Sequence, residues 1–291
     1  MTPTPKRLLV TGAAGLLGKA VTRVFTANRN YDVQALSRKQ LDITDPSEVA
    51  RRFADLRPEF VINCAAYTKV DDCETNRETA YRVNAEGPRI IAEHAARLGA
   101  RLFHISTDYV FDGSGKDPYP ENSATGPEQR LSIYGRSKLQ GEHRVASAHP
   151  QALIIRTAWL YGPDGPGFPD AILARALGGR SLQVVTDQKG APTHAPDLAS
   201  AIHGLAESQV AGILHVTNAG ACTWYDFACE ILRLANIDAP IAPVATAQFP
   251  RPAKRPANSV LDNSLYEKLT GAPMRSWKAA LDDYMAARQA G

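Results

Sequence analysis

The sequence predicts an α/β protein, a doubly wound parallel sheet with a second, smaller domain interleaved with it. Through roughly the first 160 residues, short apolar runs alternate with helix-forming stretches without interruption, as a parallel sheet covered by helices requires. The first apolar run, Arg7-Leu8-Leu9-Val10, leads straight into Thr11-Gly12-Ala13-Ala14-Gly15-Leu16-Leu17-Gly18, so strand, glycine turn and helix follow in that order. Past Gly162 the alternation weakens. Residues 1–160 with about 196–220 are therefore expected to form one domain, and about 161–195 with 221–291 the other.

Composition narrows the function classes. The chain has 291 residues, 44% of them hydrophobic, enough for a large packed core. Its 33 basic and 30 acidic residues are scattered, and a net charge of +3 offers no nucleic-acid or membrane footprint, though an acidic small molecule would be welcome. Cys64, Cys73, Cys222 and Cys229 form no CxxC pair, and the seven histidines show no metal-ligand spacing, so no metal is expected. A short polar start, Met1 to Lys6, and the lack of a long apolar run fit a reduced, cytoplasmic setting.

The glycines explain the first turn. Gly12 and Gly15 let the backbone turn tightly and approach a pyrophosphate, Gly18 lets the helix lie close on the sheet, and the open N–H groups of the helix start face the anion. This is the pattern of a dinucleotide-binding (Rossmann) unit. The second strand, Asp32 to Leu36, ends at Ser37-Arg38-Lys39. A small hydroxyl followed by Arg accommodates a 2′-phosphate where an acid would bind the 2′-hydroxyl, so NADPH is the expected cofactor and NADH the second candidate.

Leu41-Asp42-Ile43-Thr44 reads as a further short strand, and Asp45-Pro46-Ser47-Glu48 as a helix start. Phe60 to Ala66 is the next strand; its small end, Ala65 and Ala66, suits a crevice where a cofactor passes close to backbone. Tyr67-Thr68-Lys69-Val70-Asp71 is expected as a loop at the sheet's carboxyl edge, ahead of a long helix through Asn84 to Leu98 with Gly99 as its cap. Asn84 is unfavourable inside a helix, and either a specific hydrogen bond or a plain surface position accounts for it.

Arg101 to Ser106 delivers Ser106-Thr107-Asp108-Tyr109 to the same edge, followed by a long loop, Phe111 to Pro127, of the kind that covers a site. Leu131 to Val145 reads as a helix carrying Tyr134-Gly135-Arg136-Ser137-Lys138, which sets a phenol and an ammonium one turn apart on one face. A cation about 4 Å away contributes roughly 4 kcal/mol at an effective dielectric near 20, so Lys138 is expected to draw the Tyr134 pKa towards neutrality and make it a proton donor. Thr107 would add a hydroxyl for a carbonyl oxygen.

Leu153 to Thr157 is a strand, Asp170 to Leu177 a helix, Leu182 to Val185 a strand and Pro196 to Glu207 a helix, with Gly212 to Val216 a strand that rejoins the first sheet. Thr223 to Ala235 is a helix bracketed by core thiols. Pro240 to Pro256 is proline-rich and ends basic, at Arg251, Lys254 and Arg255, as either a diphosphate clamp or a solvated connector. Helices near Ser264 to Thr270 and Ser276 to Arg288 finish the chain.

Gly12, Gly15 and Gly18 with Thr107, Tyr134 and Lys138 resemble the extended short-chain dehydrogenase/reductase family. Ser106-Thr107-Asp108-Tyr109-Val110-Phe111-Asp112-Gly113, the Tyr134 to Lys138 stretch, Arg156-Thr157-Ala158-Trp159-Leu160-Tyr161-Gly162, Pro192-Thr193 and Arg255-Pro256-Ala257-Asn258-Ser259 narrow the resemblance to its dTDP-4-dehydrorhamnose reductase branch, over nearly the whole chain. The resemblance implies NADPH-dependent reduction of the C4 ketone of a dTDP-sugar for cell-envelope polysaccharide. It implies Gly15, Leu16, Leu17, Asp42, Ile43, Ala66 and Tyr67 on the cofactor, Thr107, Asp108 and Trp159 at the substrate, and Thr68, Val70 and Tyr109 beside them. Lys138 would hold the cofactor ribose. The resemblance also allows a homodimer, though no ligand cluster here supports the magnesium site through which some relatives pair. Two rivals share its motifs: a nucleotide-sugar epimerase or dehydratase, which Tyr109 in place of a Glu disfavours, and a non-enzymatic regulatory subunit of methionine adenosyltransferase.

Overall fold

The computed structural model describes residues 4–290. Its central sheet is built from β1 (Lys6–Thr11), β2 (Tyr31–Leu36), β3 (Phe60–Asn63), β4 (Arg101–Thr107), β5 (Leu153–Thr157) and a late strand, Gly212–His215, in the order late strand, β5, β4, β3, β1, β2. All neighbours are parallel. Leu8, Leu9, Val10, Val61, Ile62, Leu102, Phe103, Leu153 and Ile155 are buried whichever face they point to, because helices cover both. One face is packed by α1 (Leu16–Thr26), the other by α2 (Pro46–Leu56) and Ile90, Ile91 and Val145 from later helices.

Between β3 and β4 the chain forms α3 (Val70–Thr75), α4 (Arg77–Tyr81), a π-turn at Arg82–Glu86 and α5 (Gly87–Leu98), which Gly99 closes in the left-handed region at φ 65. The single helix expected here is thus interrupted at Asn84, and the segment read as a loop up to Asp71 becomes helical from Val70. Next comes α6 (Ile133–Ala148), capped by Ser132 Oγ, which accepts from the Gly135 N–H. The second half holds β6 (Leu160–Tyr161), α7 (Phe168–Leu177), β7 (Leu182–Val185), β8 (Lys189–Gly190), β9 (Thr193–His194) and α8 (Ala195–Leu205). It continues with β10, the late strand at Gly212–His215, then β11 (Cys222–Thr223), α9 (Trp224–Ala235), β12 (Ile241–Val244), α10 (Ser264–Thr270) and α11 (Trp277–Ala290).

Ile172, Leu182, Phe227, Trp277 and Leu281 form a separate core, whereas Tyr266 and Met274 pack into the core of the central sheet. The C-terminal stretch is therefore shared between the two halves.

Leu41 to Thr44, expected as a strand, is a turn. Asp42 Oδ1 accepts from the Thr44 N–H (2.9 Å) and hydroxyl (2.8 Å), while Leu41 and Ile43 are buried without pairing. An apolar alternation over so few residues fits a tucked loop as well as a strand. Conversely β12, hidden by its prolines, pairs with β7 in a two-stranded sheet, where Pro243 lacks only one donor.

Beneath the carboxyl edge lies a buried ion pair. Arg156 donates from Nε to Glu142 Oε1 (2.9 Å) and from Nη2 to Oε2 (2.7 Å), and the Ser106 hydroxyl donates to the same carboxylate. Both charged side chains are 2% exposed, so each depends on the other for solvation. Glu142→Ala should lower unfolding free energy by about 3–5 kcal/mol in urea titrations, because it strands a buried guanidinium. A loss below about 1 kcal/mol would show that water solvates Arg156.

Candidate active site

At the N-terminal turn the glycines are required by close approach. Gly12 has φ 66, and a Cβ there would lie 2.6 Å from the Ala65 nitrogen; a Cβ on Gly18 would lie 2.3 Å from the Gly12 oxygen. Thr11 Oγ1 donates to Asn63 Oδ1 (2.7 Å), which also accepts from the Ala65 N–H (3.1 Å), so β1, the glycine turn and Ala65 are held as one unit. The start of α1 has no side-chain cap at Gly15, leaving N–H groups at Leu16 and Leu17 for an anion. Beside it a cleft of about 660 Å³ is lined by Ala13, Ala14, Lys19, Arg23, Ser37 and Gln40, among others. These features fit a dinucleotide phosphate.

Ser37 donates to Gln40 Oε1 (2.6 Å), and Arg38 is exposed, 3.7 Å from Asp42. Asp42, Ile43, Ala66 and Tyr67 lie along the loops that follow β2 and β3.

Along the other side of the edge, β4 ends at Thr107. Thr107 Oγ1 donates to Asp108 Oδ1 (3.0 Å), and the Tyr134 ring stands edge-on to that of Tyr109 at 5.5 Å between centroids. Tyr134 and Lys138 are both buried on α6, and Lys138 Nζ donates to the Ile105 carbonyl (2.6 Å). Burial pushes the Tyr134 phenol well above its ordinary value, and the neighbouring Thr107 hydroxyl offsets this only in part. Burial likewise draws Lys138 down to about 8. The expectation that Lys138 draws the Tyr134 phenol towards neutrality is not met: in the protein without cofactor burial instead sets its direction, and the Lys138 ammonium is turned to the Ile105 carbonyl.

Asn84 is fully buried and organises the edge. Its Oδ1 accepts from the Tyr67 N–H (2.7 Å), and its Nδ2 donates to the Tyr67 carbonyl and to Ser137 Oγ, both at 3.0 Å. An Asn in the middle of a helical stretch was the only signal of this role.

Thr68 is exposed and Val70 half-buried, while Trp159 packs against the separate core around Phe227 and Trp277. Trp159 has φ 46, unusual for an aromatic residue, and stacks on Trp224 with centroids 3.5 Å apart. Contacts that sequence reasoning missed join α3 to the loop after β12: Asp71 pairs with Arg251 and Arg255, and the Arg255 guanidinium stands close to the Tyr109 phenol.

A parallel nucleotide-binding sheet with Thr, Tyr and Lys at its carboxyl edge defines an oxidoreductase of the extended short-chain class. The RmlD substrate binding domain family matches residues 6–290, and the chain belongs to that family. It is 42% identical to a dTDP-4-dehydrorhamnose reductase of Streptomyces griseus, covering 97% of this chain and 94% of that one. A probable dTDP-4,6-dihydroxy-2-methyloxan-3-one 4-ketoreductase of Streptomyces antibioticus is 46% identical, over 94% of this chain and 93% of that one. Among solved structures, the Bacillus anthracis dTDP-4-dehydrorhamnose reductase in complex with NADP superposes with a TM-score of 0.93 at 37% identity, covering 97% of this chain and 99% of that one.

Asp108 titrates unusually. Burial raises its pKa from 3.8 to about 6, against hydrogen bonds that pull it down, and its Oδ2 has no partner among the described residues. Because the folded value lies above the unfolded one, the carboxyl favours the native state below pH 3.8, and that contribution is lost as pH rises through 6. Asp108→Asn should therefore be more stable than wild type at pH 8 by about 1–3 kcal/mol. In urea midpoints the advantage should fade below pH 6 and vanish under 3.8. A pH-independent difference would contradict this.

Proposed function

We propose that this protein reduces the C4 ketone of dTDP-4-dehydro-L-rhamnose with NADPH, giving dTDP-L-rhamnose for cell-envelope polysaccharide. The observation that carries the reading is the Thr107 and Tyr134 pair buried at the edge of the nucleotide-binding sheet, in a chain 42% identical to a reductase of that name over nearly its whole length. NADPH supplies the hydride when bound. The residues that hold it, in this reading, are Gly12, Gly15, Leu16, Leu17 and Gly18 at the diphosphate, Ser37, Arg38, Asp42 and Ile43 towards the adenosine, and Ala65, Ala66, Tyr67 and Lys138 along the nicotinamide end.

With substrate bound, Thr107 turns its hydroxyl from Asp108 to the ketone oxygen, and Tyr134 gives its proton to that oxygen as negative charge develops there. A raised phenol pKa does not prevent this, since an alkoxide is a far stronger base than a phenolate; burial instead keeps the proton in place until the charge appears. Asp108, Tyr109, Thr68, Val70 and Trp159 orient the sugar. The dTDP-sugar is thus gripped between the two halves of the chain, as we divide them.

Four free thiols suit a reducing compartment, and we assign the reaction to the cytoplasm. No helix among the described residues is long and apolar enough to cross a membrane. The epimerase, dehydratase and regulatory-subunit readings are not favoured by the reductase relatives. The 46% relative is named for a ketoreduction on another dTDP-sugar, so the sugar itself is the point to test.

NADPH oxidation with dTDP-4-dehydro-L-rhamnose, with the product identified by NMR, should give dTDP-L-rhamnose, and Tyr134→Phe should lower kcat at least about a hundredfold. Absence of turnover, or full activity in that variant, would overturn the reading. Faster reduction of a different 4-ketosugar would move the assignment to that sugar.

A further inference from the structure

Outside the reacting groups, a heavily charged cleft of about 330 Å³ lies beside Tyr109, between the central sheet and the loop after β12. Arg130, Arg251, Lys254 and Arg255 stand on its wall, with Asp112 the one acidic side chain among the lining residues. Asp112 pairs with Arg130 (3.3 Å). The second carboxylate in reach is Asp71, at the start of α3, whose oxygens are nearly saturated. Oδ1 accepts from Arg255 Nη1 (3.0 Å) and the Ala253 N–H (3.2 Å), while Oδ2 accepts from Arg251 Nε (3.1 Å) and Arg255 Nη2 (3.2 Å).

We infer that Asp71 is a positioning residue, holding Arg251 and Arg255 as a preformed cradle for the diphosphate of a nucleotide sugar, in a way that rests on the reductase reading above. The charge balance supports that occupant. The wall's cations outnumber the paired carboxylates Asp112 and Asp71 by two positive charges, the complement of a diphosphate diester. The donors left over suit it as well. Arg251 engages Asp71 through Nε and Nη2, leaving Nη1 without a partner among the described residues, and Arg251 is half-exposed. Lys254 meets only the Gln129 carbonyl, at 3.5 Å.

Without Asp71, the long arginine side chains would lose their common anchor, and ordering them would fall to the ligand. The cradle also reaches the reacting edge, because the Arg255 guanidinium stands close to the Tyr109 phenol, whose ring meets Tyr134. A diphosphate held there lies one residue contact from the sugar's reaction site.

The test is calorimetric titration with dTDP, which needs no turnover. Asp71→Ala should weaken dTDP binding at least about tenfold, and Asp71→Asn, of the same shape, should weaken it by less. NADP⁺ affinity should stay within about twofold, which also shows that the variants are folded. In turnover the loss should appear in KM for the sugar nucleotide, with kcat little changed. Placed in a background with both Arg251→Ala and Arg255→Ala, Asp71→Ala should add little, because it acts through the two arginines. Additive losses, unchanged dTDP affinity in both Asp71 variants, or no dTDP binding by wild type would overturn the cradle. A wild type that binds dTDP but reduces no nucleotide sugar would sink the reductase reading and leave the cradle standing.

Discussion

The site depends on how closely α6 lies against its neighbours. A Cβ on Gly135 would stand 2.2 Å from the Tyr109 carbonyl oxygen, and one on Gly141 would stand 2.1 Å from that of Asn84. Ser137, one turn before Gly141 on the same side, takes a hydrogen bond from Asn84, while Gly135 on the opposite side meets the loop after β4, so small residues let α6 be gripped from two sides. The π-turn belongs to the same contact: its widened turn lets Asn84 bond the Tyr67 backbone on one side and Ser137 on the other. A larger side chain at Gly135 or Gly141 would push α6 off its neighbours and carry Tyr134 and Lys138 with it.

That seating sets the electrostatics. Pressed into the edge, Tyr134, Lys138 and Asp108 are all cut off from water, and each shifts towards its neutral form. The charge that does persist below them, Arg156 with Glu142, is fully paired. A site built this way favours a group that becomes charged during reaction over one charged beforehand, since its titratable side chains are buried in their neutral forms.

Much of this was legible in the chain. The strand, glycine turn and helix at the start were readable because Gly12 and Gly18 leave no room for a side chain. Thr107, Tyr134 and Lys138 were readable because a strand end and a helix turn have fixed spacing. The Leu41 to Thr44 turn was misread because an Asx hydrogen bond and strand alternation leave the same apolar pattern over so short a stretch. The Tyr134 pKa was misjudged because a helix spacing gives the distance between two groups but not their burial, and burial decided the sign. Asp71 gave no local signal at all: its partners Arg251 and Arg255 lie 180 and 184 residues away.

Whether burial governs the Tyr134 phenol can be read directly from the ζ-carbon resonance of tyrosine-labelled protein, with Tyr134→Phe assigning the peak. In the protein without cofactor, the Tyr134 signal should keep its protonated shift through pH 10, beyond the ordinary phenol value. A titration near neutrality would mean that Lys138 controls the phenol after all, and that α6 is not seated as described.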